Sequence, residues 1–249
     1  MIPIRDINPT RIFPIVTVIL IAINLFAYFG WQPAPDSDAG GDFLYEQAAV
    51  ACELTTGDPL TIREFRTRQC LDNDTGTQLA PGKNVWLAGF VSMFLHGSIL
   101  HILGNMWFLW VFGNNVEEAF GFIGYLVMYL VAGIAATASF VMLNPSSTEP
   151  LVGASGAIAG VLGAYLVLFP RHRVMTLLFV FFVPVPAMFF LGFWFLSQFA
   201  VADVGIAWEA HVGGFLVGAV IALALRENLL RRVRNLHTPR MPAPPPPRF

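Results

Sequence analysis

Long apolar runs separated by short polar segments make up most of the chain. A bilayer-spanning helix needs about 20 mostly apolar residues, and the pattern predicts such helices over residues 12–31, 98–115, 120–143, 153–169 and 208–225. The first run is long and lacks a small-residue cleavage pattern, which favours a retained span over a signal peptide. Residues 85–95 are also apolar, but His96, Gly97 and Ser98 follow them directly. We therefore expect residues 85–95 to lie at the membrane interface.

Residues 174–202 form another apolar stretch, which contains Pro184 and Pro186. Each proline removes a backbone donor, so either a kinked helix or a helix that begins at the prolines fits the pattern. Because proline suits the first turn of a helix, we favour a start near Pro186, with residues 174–183 as a partly buried connection. The expected fold is an all-α membrane protein with a bundle of six transmembrane helices.

Polar segments set the predicted domain organisation. Residues 1–11 are the N-terminal segment, and residues 12–230 form one membrane domain. Within that domain, residues 32–84 are an enlarged polar loop or small subdomain between the first two spans, with turn signals rich in Gly and Pro. Residues 231–249 end in a proline-rich run, and we expect them to form an extended, disordered tail.

The composition excludes an ordinary soluble domain, since 56% of the residues are hydrophobic, 12% are charged and the mean hydropathy is +0.65. Ten of the 14 basic residues lie near Arg5, near Arg171 or from Arg226 onward, whereas nine of the 16 acidic residues lie between Asp36 and Asp74. Basic segments tend to stay cytoplasmic. We therefore predict a multi-pass membrane protein with both termini cytoplasmic and the polar loop outside, and the absence of obvious transit features favours the plasma (inner) membrane. The C-terminal arginines fit a lipid surface, and no nucleic-acid groove is predicted.

Both cysteines, Cys52 and Cys70, lie in the polar loop. A disulfide between them would persist on the outer side of the membrane, and two free thiols are the alternative. Two cysteines without nearby histidines make a poor metal site, so no metal is predicted.

Ser155 is the first candidate for chemistry. The sequence Gly153-Ala154-Ser155-Gly156 falls where a short outer loop meets the fourth predicted span. Ser155 would then lie in the first turn of a helix, where free backbone N–H groups and the helix dipole stabilise an oxyanion. By itself the motif is weak, because glycine and serine are also common packing residues in membrane helices.

His211 is the candidate partner, in the sequence Ala210-His211-Val212-Gly213-Gly214 of the last predicted span. Ionisable groups inside spans are costly and usually functional, although a structural histidine is the alternative. The spacing of Gly156 and Gly160 on the fourth helix, and of Gly214 and Gly218 on the sixth, favours close approach of the two helices. No inward-facing Asp is evident as a third member, so a Ser–His dyad is predicted.

The second predicted span carries His101 and Asn105, which are four residues apart and share one helix face. They fit either interhelical hydrogen bonding or a pair of side-chain donors to an oxyanion. His96 lies off that face, and we interpret it as a structural residue that bonds loop backbone near the start of the helix.

Together these motifs resemble those of the rhomboid protease family, and the resemblance covers nearly the whole chain. The N-terminal run from Ile4 to Thr10 is also similar to that of bacterial six-span members. The resemblance implies a serine endopeptidase that cleaves transmembrane segments of other membrane proteins, in a water-filled cavity open to the outer or periplasmic side. It implies Ser155 as nucleophile, His211 as base, and His101, Asn105 and the Ser155 N–H as oxyanion donors. Gly153, Gly156 and Gly214 would be structural residues near the site.

Two other classes of function stay open at this stage. A non-proteolytic rhomboid-like protein would bind membrane clients with the same fold, although such relatives generally lack the serine or the histidine. A small transporter would use intramembrane histidines as a proton path, and it would show inverted repeats that this sequence lacks. Hydrolysis by side chains and water needs no cofactor, and the oligomeric state is not encoded in any of these patterns.

Overall fold

A computed structural model describes residues 1–200 and 206–238 of the chain. Its centre is helix α7 (Ser155–Leu168), in which most residues are buried. Around α7 pack the long helices α6 (Ile99–Leu143) and α9 (Trp208–His237), with α1 (Ile15–Phe26) against α6 and α8 (Ala187–Gln198) beside α7 and α9. The main hydrophobic core lies between these helices.

Helix α1 begins on two acidic side chains from α6. Glu117 accepts hydrogen bonds from the backbone N–H groups of Val16, at 2.9 Å, and Thr17, at 2.8 Å, while Glu118 accepts from the N–H of Ile12 at 3.1 Å. These carboxylates satisfy backbone donors that a helix N-terminus leaves without an intrahelical partner. The helix ends in a π-helical turn, Ala27–Trp31.

The second and third predicted spans are joined more closely than the sequence pattern predicts. We expected residues 116–119 to separate them, but the helix continues through these residues and only Gly121 departs from helical geometry, with φ 72° and ψ 167°. That left-handed φ favours glycine because it has no Cβ. The boundary moves because Glu117 and Glu118 are buried against α1 rather than exposed in a turn.

Residues 32–84 fold into a small subdomain, here called the outer subdomain. It contains helices α2 (Asp38–Gln47), α3 (Ala51–Thr56) and α4 (Ile62–Thr67) and the short strand β2 (Ala49–Val50). A capping box between Thr61 and Glu64 starts α4. Cys52 and Cys70 form a disulfide with a Cα–Cα distance of 5.6 Å. An ion pair of 2.5 Å joins Lys83 to Glu53, and both side chains are 2% exposed.

The outer subdomain contacts the loop that precedes α7. Strand β2 pairs antiparallel with strand β3 (Pro150–Leu151), and the Cys52 N–H donates to the carbonyl of Ser147 at 3.0 Å. Arg68 reaches Glu149 of the same loop at 2.7 Å. The subdomain therefore holds the chain a few residues before Ser155.

Residues 85–94 are helical, as helix α5 (Val85–Val91) followed by a 3-10 turn, Ser92–Phe94. Their place at the membrane interface stays a prediction. Helix α6 then begins after Ser98, whose hydroxyl oxygen accepts a hydrogen bond from the His101 N–H at 3.2 Å.

A three-stranded antiparallel sheet corrects the all-α prediction. Strands β4 (Arg173–Leu178) and β5 (Phe181–Pro186) form a hairpin where we expected an irregular connection, and β1 (Ile2–Asp6) pairs with the other edge of β4. Pro184 and Pro186 fit this sheet because β5 is an edge strand, whose outer N–H groups have no ladder partner to lose. Helix α8 begins directly after Pro186, so the predicted start of the fifth helix is confirmed.

The N-terminal strand is fixed to the bundle by Asp6. Its carboxylate accepts hydrogen bonds from the hydroxyl of Tyr165 at 2.5 Å and from the amide of Asn115 at 2.6 Å. Burial raises the pKa of this carboxyl above its usual value. The segment 1–11 is therefore partly ordered by contacts with α6 and α7.

Helix α9 is longer than the predicted sixth span and overlaps the predicted tail. It runs to His237, because Arg232 donates through Nε to the Glu118 carbonyl at 3.1 Å and His237 Nε2 lies 2.7 Å from Glu118 Oε1. Residues 231–237 are therefore helical rather than extended. The rest of the predicted tail, residues 239–249, lies outside the described residues.

Two helices in the described part of the chain, Ile99–Leu143 and Trp208–His237, are long and apolar enough to cross a membrane. Helix α6 is long enough to supply two spans, one on each side of Gly121. Helix α7, with 14 residues, is about 21 Å long against a hydrocarbon core of about 30 Å. The fold is a helical membrane bundle, and the count of six spans stays a prediction.

Candidate active site

Ser155 is the first residue of helix α7. The loop before it is held by a hydrogen bond from the Gly153 N–H to the Ser92 carbonyl, at 2.9 Å. Gly153 has φ 121°, and a Cβ there would lie 2.7 Å from His101 Nε2 and 3.5 Å from Ser155 Oγ. A side chain at this position would be both strained and in collision with the site, so only glycine fits. The helix start leaves backbone N–H groups near Ser155 without intrahelical partners.

His211 lies in the first turn of α9, with Nε2 2.8 Å from Ser155 Oγ. This is the hydrogen-bond distance expected between a nucleophilic hydroxyl and its base. The two residues are 56 positions apart in the chain, so the pair depends on the packing of α7 against α9.

Glycines bring α7 and α9 close enough for this contact. A Cβ on Gly214 would lie 2.0 Å from the carbonyl oxygen of Gly156, and one on Gly218 would lie 2.0 Å from that of Gly160. A Cβ on Gly156 would meet Ala136 of α6 at 2.4 Å. The close approach predicted from the glycine spacing is therefore confirmed, and three helices meet beside Ser155.

Gln198 is a neighbour of the site that the sequence did not reveal. Its Oε1 lies 2.7 Å from His211 Nδ1, and its side chain is buried at the C-terminal end of α8. The ring of Trp194, also on α8, lies 6.1 Å from the His211 ring, centroid to centroid. One sequence signal could have pointed to Gln198: it is an amide at the end of a largely apolar run, and polar groups within spans are usually functional.

His101 and Asn105 lie in the first two turns of α6, on the same side of the cavity as Gly153. Asn105 is buried, and its Nδ2 has no hydrogen-bond partner among residues 1–200 and 206–238. Both residues line the cavity, and both side chains can donate hydrogen bonds.

His96 is buried beside His101, with the two ring centroids 5.1 Å apart. Neither ring nitrogen has a hydrogen-bond partner in the described part of the chain, and the bond from its side chain to loop backbone stays a prediction. Its backbone N–H donates to Gln32 Oε1 at 3.2 Å, and its carbonyl accepts from Gln32 Nε2 at 2.7 Å. The end of the first span therefore fixes this loop.

A cavity of about 1230 Å³ contains these groups. The lining includes Ser155, His211, His101, Asn105 and Gln198. The outer subdomain and the loop before α7 also contribute, through Leu44, Arg68 and Glu149. The cavity thus contains the candidate polar groups and reaches residues of the outer subdomain.

A family model described as "Rhomboid domain" matches residues 83–228, which is more than half of the chain. The chain belongs to the rhomboid family. The match begins after the disulfide, so most of the outer subdomain lies outside the rhomboid domain.

Named relatives agree with this assignment. The chain is 37% identical over 142 residues to "Rhomboid protease GluP" of Bacillus subtilis, covering 56% of this chain and 26% of that protein. It is 31% identical over 157 residues to "Rhomboid protein 1, mitochondrial" of Saccharomyces cerevisiae, covering 57% of this chain and 44% of the relative. It is 34% identical over 162 residues to "RHOMBOID-like protein 12, mitochondrial" of Arabidopsis thaliana, covering 56% and 46% respectively. The chain spans less than half the length of each of these relatives.

Proposed function

We propose that this rhomboid is an intramembrane serine endopeptidase, with Ser155 as nucleophile and His211 as general base. The observation that carries the proposal is the 2.8 Å contact between Ser155 Oγ and His211 Nε2 at the start of α7, inside a large cavity. A packing serine does not need a histidine at this distance, whereas acyl transfer does. The relative named as a protease from Bacillus subtilis supports the same activity.

The proposed reaction proceeds through an acyl-enzyme. Ser155 Oγ attacks the peptide carbonyl carbon while its proton passes to His211 Nε2, which gives a tetrahedral oxyanion. When this intermediate collapses, the C–N bond breaks and the imidazolium returns the proton to the leaving amine. A water then repeats the sequence on the ester, with His211 as base, and releases the carboxylic acid and Ser155.

The oxyanion is assigned to three donors. The Ser155 N–H belongs to the first turn of α7, where the dipole also favours negative charge. Asn105 Nδ2 is buried without a partner among the described residues, and His101 lies against Gly153 on the same side of the site. Donors already in place stabilise the developing charge without reorganisation, which is the usual source of a large rate effect.

The proposed substrates are transmembrane segments of other membrane proteins. Within the bilayer a substrate backbone finds neither water nor hydrogen-bond partners, and the cavity supplies both a place for water and polar groups. In the proposed topology the enzyme is a six-span protein of the plasma membrane, with both termini cytoplasmic and the cavity open to the outer side. The arginine-rich ends and the disulfide of the outer subdomain support this orientation.

A client-binding protein without protease activity is the second candidate. It has the same fold, but it has no need of a serine hydrogen-bonded to a histidine in the cavity. The contact between Ser155 and His211 therefore favours the enzyme over this alternative.

Cleavage of a reporter transmembrane helix by purified protein in detergent tests the proposal. We expect the wild type and Ser197→Ala to cleave the reporter, and Ser155→Ala and His211→Ala to lose activity. A thermal unfolding transition in each sample checks that all four proteins are folded. A fluorophosphonate should label the wild type and Ser197→Ala but not Ser155→Ala. Ser197 is a control for the labelling because its hydroxyl bonds to neighbours on α8, donating to the Trp194 carbonyl at 2.6 Å and accepting from Gln198 Nε2 at 3.4 Å, and has no contact with His211 or Ser155 among the described hydrogen bonds. Labelling of Ser155→Ala at the wild-type level would contradict the assignment of the nucleophile.

A further inference from the structure

We propose that Gln198 is a positioning residue that holds His211 in the tautomer a general base requires. The inference rests on the proposed function, and it adds a third member to the predicted pair. Gln198 contacts His211 and not Ser155: its Oε1 lies 2.7 Å from His211 Nδ1, on the ring edge away from the nucleophile.

The direction of the Gln198 amide follows from its second contact. Its Nε2 donates to the Trp194 carbonyl at 2.9 Å, one turn earlier on α8. If the amide were flipped, its oxygen would face that carbonyl oxygen and a hydrogen bond would be lost. The amide oxygen therefore faces His211, and an amide oxygen only accepts.

This direction determines where the imidazole carries its proton. Because Gln198 Oε1 accepts, His211 Nδ1 must donate, and the neutral ring then bears its hydrogen on Nδ1. The lone pair of Nε2 is left to face the Ser155 hydroxyl, 2.8 Å away. An acceptor on the distal nitrogen plays the same orienting part in serine hydrolases that use a carboxylate.

A neutral acceptor suits a site buried among membrane helices. Gln198 is 6% exposed, and an ionised carboxylate at such a position would lose much of its solvation. The amide fixes the ring through geometry without placing a second charge beside the histidine. This explains how the site works without the inward-facing Asp that is absent from the sequence pattern.

The contact also joins the C-terminal end of α8 to the first turn of α9. Gln198 is the last residue of α8, and His211 lies in the first turn of α9. The ring of Trp194 stacks on Phe215 of α9 with centroids 6.0 Å apart. A displacement of the C-terminal end of α8 would therefore release His211 from its acceptor, so the position of α8 controls the base.

The alternative is that Gln198 only fills space. Two substitutions of similar size separate these roles, because Gln198→Glu keeps an acceptor at the same place and Gln198→Met removes it. We expect Gln198→Met to lower kcat about 10- to 100-fold, by analogy with the groups that orient metal-binding histidines, with KM unchanged. Gln198→Glu should keep more activity than Gln198→Met. A space-filling role predicts the reverse order, because methionine is tolerated in an apolar site and glutamate is not.

The tautomer itself gives a readout that does not depend on activity. In the ¹⁵N NMR spectrum of histidine-labelled protein, we expect His211 of the wild type and of Ser155→Ala to carry its proton on Nδ1. We expect Gln198→Met to show a mixture of the two tautomers. A proton on Nε2 in the wild type, or unchanged kcat and tautomer in Gln198→Met, would overturn the inference.

The two proposals fail in different ways. If Ser155→Ala retains activity and labelling, the proposed function is wrong whatever Gln198 does. If Ser155→Ala is inactive but Gln198→Met matches the wild type, only the role of Gln198 is wrong. Gly192→Ala, a substitution on the same helix whose added Cβ meets nothing within 4 Å, should leave both kcat and the tautomer unchanged.

Discussion

The contact between α7 and α9 and the outer subdomain both hold Ser155 in place, but they do so by different physical means. Between the helices, glycines allow backbone to touch backbone, as at Gly218 and Gly160. In the outer subdomain the hydrophobic cluster contains only Val50, Cys52 and Leu60, with two partly buried neighbours. There a disulfide, a capping box and a buried ion pair supply the order.

The difference follows from the two environments. Within a bilayer, burying apolar side chains gives no advantage over lipid, so helices associate through close packing and polar contacts. In water, a segment of about 50 residues buries little apolar surface and is marginally stable by itself, and covalent or ionic links supplement its small core. Each region should therefore be sensitive to a different kind of substitution.

The largest effect is expected at the helix contact. Gly218→Ala places a Cβ 2.0 Å from the Gly160 carbonyl oxygen, so the helices must separate. We expect a loss of about 3 kcal/mol in the free energy of unfolding, at the upper end of the cost of overpacking, and loss of fluorophosphonate labelling as His211 moves from Ser155. Thermal unfolding in detergent measures the first effect. Gly192→Ala on α8 is the matched control, since a Cβ there meets nothing within 4 Å. Equal stability of the two variants would show that close backbone packing is not what holds α7 to α9.

A smaller and more local effect is expected in the outer subdomain. Replacing Cys52 and Cys70 together by serine removes a link across 18 residues. Such a link typically stabilises a fold by about 2–4 kcal/mol, and here the loss is confined to the outer subdomain. We expect residues 32–84 to become susceptible to limited proteolysis while the helical bundle keeps its unfolding temperature. Cleavage should be slowed but not abolished, because β2 no longer holds the loop before α7 firmly.

Reduction of the wild type provides the control for the disulfide. A membrane-permeable reductant should reproduce the proteolysis pattern of the double variant and should have no further effect on that variant. A fall in the unfolding temperature of the whole bundle would contradict the separation between the two regions.

The smallest effect is expected at the ion pair between Arg68 and Glu149. The pair is short, at 2.7 Å, but the side chains are 77% and 54% exposed. Exposed pairs contribute less than about 1 kcal/mol, so Arg68→Ala should change proteolysis of the outer subdomain only slightly. Arg66→Ala, at an exposed position in the last turn of α4 and two residues before Arg68, is the comparison. A loss from Arg68→Ala as large as that from removing the disulfide would show that this contact, and not the covalent link, fixes the subdomain on the loop.

Several elements could be predicted from the chain because local signals agree with the fold. Pro186 marks the start of α8, and the glycine spacing indicates that α7 and α9 approach closely. The hairpin of β4 and β5 could not be predicted, because its turn carries Phe179 at φ 56°. Glycine or asparagine at that position would have been a recognisable turn signal. The pairing of β4 with β1 could not be predicted either, because the two strands are more than 160 residues apart in the chain.

For the candidate site, sequence patterns identify the candidate residue types: a serine at the start of one apolar helix, and a histidine near the start of another beside small residues. That Gln198 faces His211, and that the outer subdomain holds the loop before Ser155, is seen only once the chain is folded. The physical reason is that periodicity and turn chemistry describe one element at a time. A hydrogen bond between α8 and α9, or a strand pair between residues 49–50 and 150–151, forms only when all the packing around it is in place.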